Sequence, residues 1–300
     1  MEFVINVLHS TLRVSAPLIL AAMAGVLSKQ VNLLNIALEG LMLFGAFAGI
    51  VFAAMFGNTW LGLLAAVLLA MAVSAIFAMF VIDFRVNLIV AGLAINILAI
   101  GLTAYLLIVV FDTRGAFMPE NVVPLPHWDI PFLQDVPVLG RILSGHGVLV
   151  YVSWLMVLVT SLTLYKTSFG VHLRAVGEHK VAAQTAGIAV RRVEYLALLL
   201  GGVLTGLAGA QLSIGDLTLF TDSMTNGRGF IALAAVFFGN AVPGLTAIGC
   251  LLFGMFEALQ FRAQVMTGLP PQLLQMMPYL VVVISLVIIS VRKKQRRPAL

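Results

Sequence analysis

Nine apolar stretches follow one another along this chain, at residues 12–27, 35–56, 61–82, 88–111, 148–165, 195–214, 230–239, 246–261 and 273–289. That succession constrains the fold more than any other feature. A helix of about 18 to 25 apolar residues crosses the hydrocarbon of a bilayer. Lipid offers the backbone no water, so a spanning segment is either a helix or a strand of a closed barrel. Barrel strands alternate polar and apolar residues over about ten positions, and these runs do not alternate. The expected fold is all-α: a polytopic membrane protein with eight or nine transmembrane helices. The seventh stretch, 230–239, is too short to cross alone at about 1.5 Å per residue. It reads as a half-helix packed inside the protein or as one limb of a broken span. Only 10% of the residues are charged, against about 25% in a soluble domain.

The charges set the orientation. With the C-terminus in the cytoplasm and nine crossings, the inner side carries Lys29, Arg85, Lys166, Arg174, Lys180, Arg191, Arg192 and the basic cluster at 292–297. The outer side carries Arg13, Arg114, Arg141, Arg228 and Arg262, and collects acids such as Glu2, Asp112, Glu120, Asp129, Asp135, Asp216 and Asp222. Basic residues gather on the cytoplasmic side of membrane proteins, so the N-terminus faces out. The sequence pI of about 9.7 is explained by this placement and calls for no nucleic-acid partner. A cleaved leader is not expected, because the first apolar run leads into further spans. The single cysteine, Cys250, rules out an intrachain disulfide.

Two long polar segments remain. The outer one, 112–147, holds Pro119, Pro124, Pro126, Pro131, Pro137 and Trp128 and reads as a stiff platform. The inner one is 166–194. No linker divides the chain, so residues 1–300 form one domain. Within the spans, Gly45 with Gly49 and Gly202 with Gly206 have the spacing that lets helix backbones approach closely. Two segments are interrupted: "NLLNIALEG", 32–40, and "MTNGRGFIALAA", 224–235. Paired interruptions can mark an inverted repeat with a transport route between its halves, although "NIALEG" and "GFIALAA" match only slightly. Polar groups at depth must pair or face water. Asn35, Glu39, Asn87 and Asn96 are the candidates for lining a route, with interhelical hydrogen bonding as the other reading; Glu257 is likewise placed within a span.

The inner segment is longer than a connector needs to be. Its stretch "GEHKVAAQTAGI", 177–188, reads as a short helix ending at Gly187. Ala182, Ala183, Ala186 and Gly187 make one smooth face of small side chains, bordered by Glu178, Lys180 and Gln184. Such a helix is shaped to enter a cleft on another protein and to move as one piece.

This stretch resembles the cytoplasmic coupling loop of permease subunits of ATP-binding-cassette (ABC) importers, with its pattern Gly-Glu-Asn-Pro-x-Ala-Ala-x-x-x-Gly-Ile. Gly177, Glu178, Ala182, Ala183, Gly187 and Ile188 are in step; His179 replaces the usual Asn and Lys180 the usual Pro. "KQVNLLNIALEGLMLFGAF" and "NGRGFIALAAVFFG" resemble hallmarks of the branch that handles branched-chain amino acids, ribose-type sugars and nucleosides. The outer run "DIPFLQDVPVLGRIL" is similar to nucleoside-type and simple-sugar permeases. The resemblance covers nearly the whole chain and implies the type II importer fold. It also implies a bacterial cytoplasmic (inner) membrane location and an ATPase-coupling role for Gly177, Glu178, His179, Ala182, Ala183 and Gly187.

The implied partners are two ABC ATPase subunits or one fused tandem ATPase, a second permease subunit of the same or a homologous kind, and an external substrate-binding protein. ATP and Mg would be bound by the ATPase. This chain carries no phosphate-binding G-x-x-x-x-G-K-[ST] loop and no H-E-x-x-H metal motif; no cofactor, metal or catalytic residue is expected in it. The implied cargo is a small neutral solute: a nucleoside, on the similarity of the outer run, with ribose or another simple sugar as the alternative. An ion-coupled carrier is the rival from another class; it would need a charged relay at mid-membrane, for which the chain offers little beyond Glu39 and Glu257. An intramembrane enzyme would need a nucleophile paired with a base, which no span presents.

Overall fold

The structure is a computed structural model that describes residues 2–129, 139–215, 217–267 and 276. Nearly all of the ninth stretch, the basic cluster at 292–297, Pro131, Asp135, Pro137 and Asp216 lie outside the described residues. Among the described residues, seven helices are long and apolar enough to cross a membrane.

The first helix, α1 (Glu2–Gln30), extends the first apolar stretch at both ends and carries Pro17 in its interior. Next come α2 (Leu38–Phe56), α3 (Thr59–Ala78) and α4 (Leu88–Phe111). The outer loop contributes β1 (Ala116–Phe117), β2 (His127–Trp128), the short α5 (Leu139–Leu143) and β3 (His146–Gly147). Then follow α6 (Val148–Lys166), α7 (Ser168–Glu178), α8 (Lys180–Thr185) and α9 (Val190–Ala210). The chain continues through β4 (Phe220–Thr221), α10 (Arg228–Phe238) and α11 (Pro243–Thr267). The four strands form two antiparallel pairs, with Phe117 opposite Phe220 and Trp128 opposite His146. They brace the outer loop and leave the fold all-α. The third and ninth helices each end in a π turn, Met79–Asp83 and Gln211–Gly215.

Helices α1 and α2 form the centre, while α4 and α6 are largely exposed along the rim. Glycines set how closely the middle packs. A Cβ on Gly45 of α2 would press on the Gly206 backbone of α9, and one on Gly206 would press on Val67 of α3. The predicted small-residue pairs therefore place three helices backbone to backbone, where hydrophobic force between helices is weak. The Ser74 hydroxyl donates to the Leu198 carbonyl at 2.7 Å, locking α3 to α9.

Helix α11 runs antiparallel to α1. The Cys250 thiol faces the Leu18 carbonyl, Gly254 abuts Ser15, and the Arg262 guanidinium lies over the Phe3 ring at 5.5 Å. At the other end of α1 the Gln30 amide donates to the Ala241 carbonyl at 3.0 Å. Residues 30, 83, 177 and 191 thus share one end of the bundle, while 2, 117, 128 and 220 share the other. That division matches the sides assigned by charge. It also places α10: its last turn is level with the inner end of α1, and its first turn lies about halfway along it. The short seventh stretch is a half-helix inside the bundle, one of its two expected forms.

Candidate functional site

The two interrupted segments meet. Residues 32–37 do not continue a helix, so α2 starts with unpaired N–H groups inside the protein. Side chains take those donors in place of water. The Asn35 Oδ1 accepts from Ala37 N–H at 3.0 Å. Asn96, from the middle of α4, accepts from Gly40 N–H at 2.8 Å and donates to the Ile36 carbonyl at 3.0 Å. The same need arises where α10 begins after Gly227, a residue with φ +77. There the buried Glu39 carboxylate accepts from Gly227 N–H at 2.7 Å through Oε1 and from Gly229 N–H at 2.6 Å through Oε2. A carboxylate at a helix N-terminus is favoured by both the free donors and the helix dipole. Asn87 is exposed and caps α4 through Ile89 N–H at 2.9 Å. The four residues proposed from sequence for a route thus all receive backbone hydrogen bonds. Asn35, Glu39 and Asn96 gather around the broken entry to α2, and Asn87 stands apart.

A cavity of about 310 Å³ lies on the outer side of this junction. Ser10, Arg13, Val14 and Pro17 of α1 form one wall, and Ala258, Phe261 and Arg262 of α11 form another. Leu212, Leu217 and Arg228 complete it. Arg228, in the first turn of α10, pairs with Glu257 of α11 and donates to the Met224 carbonyl at 3.1 Å. Asn35, Glu39, Asn87 and Asn96 are not among its lining residues. The arginines escaped the sequence reading because each looked like an orientation charge; a signal was available in the arginine and the glycines that open the half-helix.

Above the cavity, His146 stacks on His9 with ring centroids 4.1 Å apart. Its Nε2–H donates to the Ile142 carbonyl at 2.8 Å. Burial, aided by neighbouring positive groups, pushes the His146 pKa down to about 4.

On the inner face, residues 166–194 hold two helices where the sequence suggested one. Thr167 caps α7 by accepting from Gly170 N–H at 3.2 Å. Gly177 lies against the end of α1, where a Cβ would overlap the Gln30 carbonyl oxygen. Glu178 is exposed at the end of α7. His179 separates α7 from α8 and caps α8, its Nδ1 accepting from Ala182 N–H at 3.1 Å. A histidine here does what asparagine does in the related pattern, provided that its Nδ1 carries no proton. Gly187 has φ +85 and closes α8, with Ile188 N–H reaching back to the Ala183 carbonyl at 3.0 Å. The small-residue face is split: Ala183 packs into the core with Leu173, Val176 and Val193, while Ala182, Ala186 and Gly187 stay exposed. Lys180 pairs with Glu194 of α9. Arg191 and Tyr195 both donate to Asp83 at the end of α3, at 2.9 and 2.6 Å.

Comparison with known proteins bears on the family and the fold. A family model described as "Branched-chain amino acid transport system / permease component" matches residues 7–286. A guanosine ABC transporter permease protein of Bacillus subtilis is 36% identical, over 93% of this chain and 90% of its own. A nucleoside ABC transporter permease protein of Lactococcus lactis is 34% identical, over 91% and 88%. A glucose ABC transporter permease protein of Haloferax volcanii is 28% identical, over 89% and 73%. A solved structure described as a metal-chelate type ABC transporter, in an inward-facing conformation, shares the fold with a TM-score of 0.56. It is 18% identical and covers 94% of this chain and 84% of its own. Half-helix, exposed inner helix and helical bundle thus come together in a sequence matched almost end to end: the chain belongs to the permease-component family of ABC importers, as a multi-pass membrane subunit that performs no catalysis of its own.

Proposed function

We propose that this permease carries a nucleoside inward, with the 310 Å³ cavity as its outer vestibule. The composition of that cavity carries the reading. Its volume is at the small end of ligand pockets, about 300 to 1,000 Å³. The arginine at its floor, Arg228, is paired within the protein with Glu257. The Arg228 charge therefore does not itself call for a charged solute. The walls offer Phe261 and the flat guanidinia of Arg13 and Arg262, surfaces on which a planar base stacks. A sugar lacks that flat face. The guanosine and nucleoside permeases among the relatives support the same choice, and the glucose permease supplies the competing one.

In this reading the permease works as a pair, with itself or a homologous chain. Two ATPase subunits or one fused tandem ATPase bind the inner face, and an external binding protein docks on the outer loop. The exposed Ala182 of α8, with Ala186 and Gly187 just past its end, forms the contact with the ATPase, and Gly177, Glu178, His179 and Ala183 shape and seat it. The test is uptake of radiolabelled guanosine and of radiolabelled glucose by cells expressing the whole transporter. Guanosine uptake that is lost in Phe261→Ala, with the protein still in the membrane, is the expected result. Uptake of glucose alone would assign the vestibule to sugars. Ala186→Trp should keep the chain in the membrane and prevent the ATPase from co-purifying; normal co-purification and uptake would remove α8 from the contact.

A further inference from the structure

The structure attaches α8 to the membrane body at two places. Ala183 inserts among core residues, and Lys180, the first residue of the helix, pairs with Glu194. The two ends of that ion pair are unlike. The Lys180 side chain is half exposed, at 49%, whereas the Glu194 side chain is 7% exposed. An exposed pair would yield easily, because water replaces either partner at little cost. A buried carboxylate cannot lose its cation so cheaply, because an uncompensated charge would be left inside the protein. The pair therefore resists any movement of α8 that is not shared by α9. Gly187 closes the other end of α8 only three residues before α9 begins, so the short helix is tied to α9 at both ends.

Helix α9 is fastened in turn along its whole length. Arg191 and Tyr195 bind Asp83 at the inner end of α3. Leu198 receives the Ser74 hydroxyl in the next turn. Gly202 and Gly206 sit against α3, and Gly206 and Gly209 against α2. At the outer end, the Ile214 carbonyl in the π turn accepts Leu125 N–H of the outer loop at 3.1 Å. From Val190 to Gly215 this is 26 residues, about 39 Å of continuous helix at 1.5 Å per residue. One rod joins the helix on the inner face to the loop on the outer face.

We propose that Lys180 and Glu194 are the positioning pair that makes α8 and α9 one rigid piece, so that a push on α8 is delivered through α9 to the outer vestibule. This rests on the reading of α8 as the ATPase contact. The pair touches neither solute nor nucleotide; it acts through α9.

The experiment uses the assembled transporter in lipid vesicles and needs no knowledge of the solute. Leu217→Cys places a thiol in the vestibule wall, and its labelling by a membrane-impermeant maleimide is timed with and without ATP and Mg. The native Cys250 is buried and stays silent. With the pair intact, nucleotide changes the labelling rate. In Glu194→Gln, and separately in Lys180→Gln, the ATPase still co-purifies and hydrolyses ATP, and the nucleotide effect on labelling shrinks about tenfold, within the usual range of coupling between sites. The charge reversal Lys180→Glu with Glu194→Lys restores it, which a general loss of stability would not allow. A full nucleotide effect in both single variants, or a reversal no better than either, overturns the proposal. Ala186→Trp separates the two levels. If it blocks ATPase binding while Lys180→Gln leaves the nucleotide effect whole, only the pair's role falls; if it leaves binding and labelling unchanged, the reading of α8 itself falls.

Discussion

The Glu39 carboxylate holds the Gly229 backbone N–H at 2.6 Å, joining two interrupted segments that lie 190 residues apart in sequence. The bond exists because a helix that starts inside the bundle has donors which lipid cannot satisfy. Glu39→Ala removes two charge-assisted bonds and strands one buried and one half-buried N–H group, a loss of about 2–4 kcal/mol. Glu39→Gln keeps one good acceptor and should lose roughly half as much. Thermal inactivation of the purified transporter in detergent would rank wild type above the Gln variant and the Gln variant above Ala. An Ala variant as stable as wild type would mean that the junction is held by other contacts.

Glycines in similar helices should respond in opposite ways. A Cβ at Gly206 of α9 meets the Val67 and Ala66 backbone, whereas one at Gly101 of α4 meets nothing within 4 Å. Gly206→Ala should therefore cost stability by forcing α3 and α9 apart. Gly101→Ala should add about 0.5–1 kcal/mol, because alanine loses less backbone freedom in a helix. Melting temperatures of the two variants against wild type test this; a shift of the same sign in both would contradict the packing described.

His179 accepts from Ala182 N–H through Nδ1, so its contribution is that of a helix cap. His179→Asn should preserve coupled uptake, since asparagine caps at least as well. His179→Ala should weaken α8 by about 1 kcal/mol and lower uptake at unchanged membrane content. Uptake by Ala variants equal to that of Asn variants would show that the cap is dispensable.

His146 gives a pH dependence with a definite sign. Burial lowers its pKa to about 4 from the ordinary 6.5. The unfolded chain therefore binds a proton at this site between pH 6.5 and 4 that the folded chain refuses, and folded stability falls as the pH falls. The contribution is whole above pH 6.5 and lost on approaching pH 4. His146→Phe keeps a flat ring beside His9 and removes the titration. Melting curves from pH 7 to 4 should fall less steeply for that variant; identical slopes would count against the burial of a neutral imidazole.

Much of the scaffold was legible because lipid imposes so few choices. Apolar length alone located the seven long spans among the described residues, and the pairs Gly45 with Gly49 and Gly202 with Gly206 announced close packing by size. The half-helix was legible from its brevity. Boundaries were less so: α1 begins at Glu2 although Asn6, His9 and Ser10 interrupt the apolar run, because that turn packs against the outer loop rather than lipid. Helix α7 passed unnoticed although Thr167 is a capping residue and Phe169, Leu173 and Val176 keep helical spacing. The polar residues posed the harder problem. Asn35, Glu39 and Asn96 were noticed for being polar at depth, but what each one binds depends on chain ends that only the folded bundle brings near. Lys180 with Glu194 and Arg228 with Glu257 are contacts between separate segments, and no local pattern announces them.

The depth at which α10 begins has a mechanical consequence. The half-helix has 11 residues, about 16 Å from end to end, and the vestibule opens directly onto its first turn. In the proposed function, a solute resting there lies level with the middle of α1, and what stands below it is α10 with its neighbours. On that reading the barrier is only as long as the half-helix, so α10 and its neighbours would have to part over about 16 Å rather than over the length of a full span.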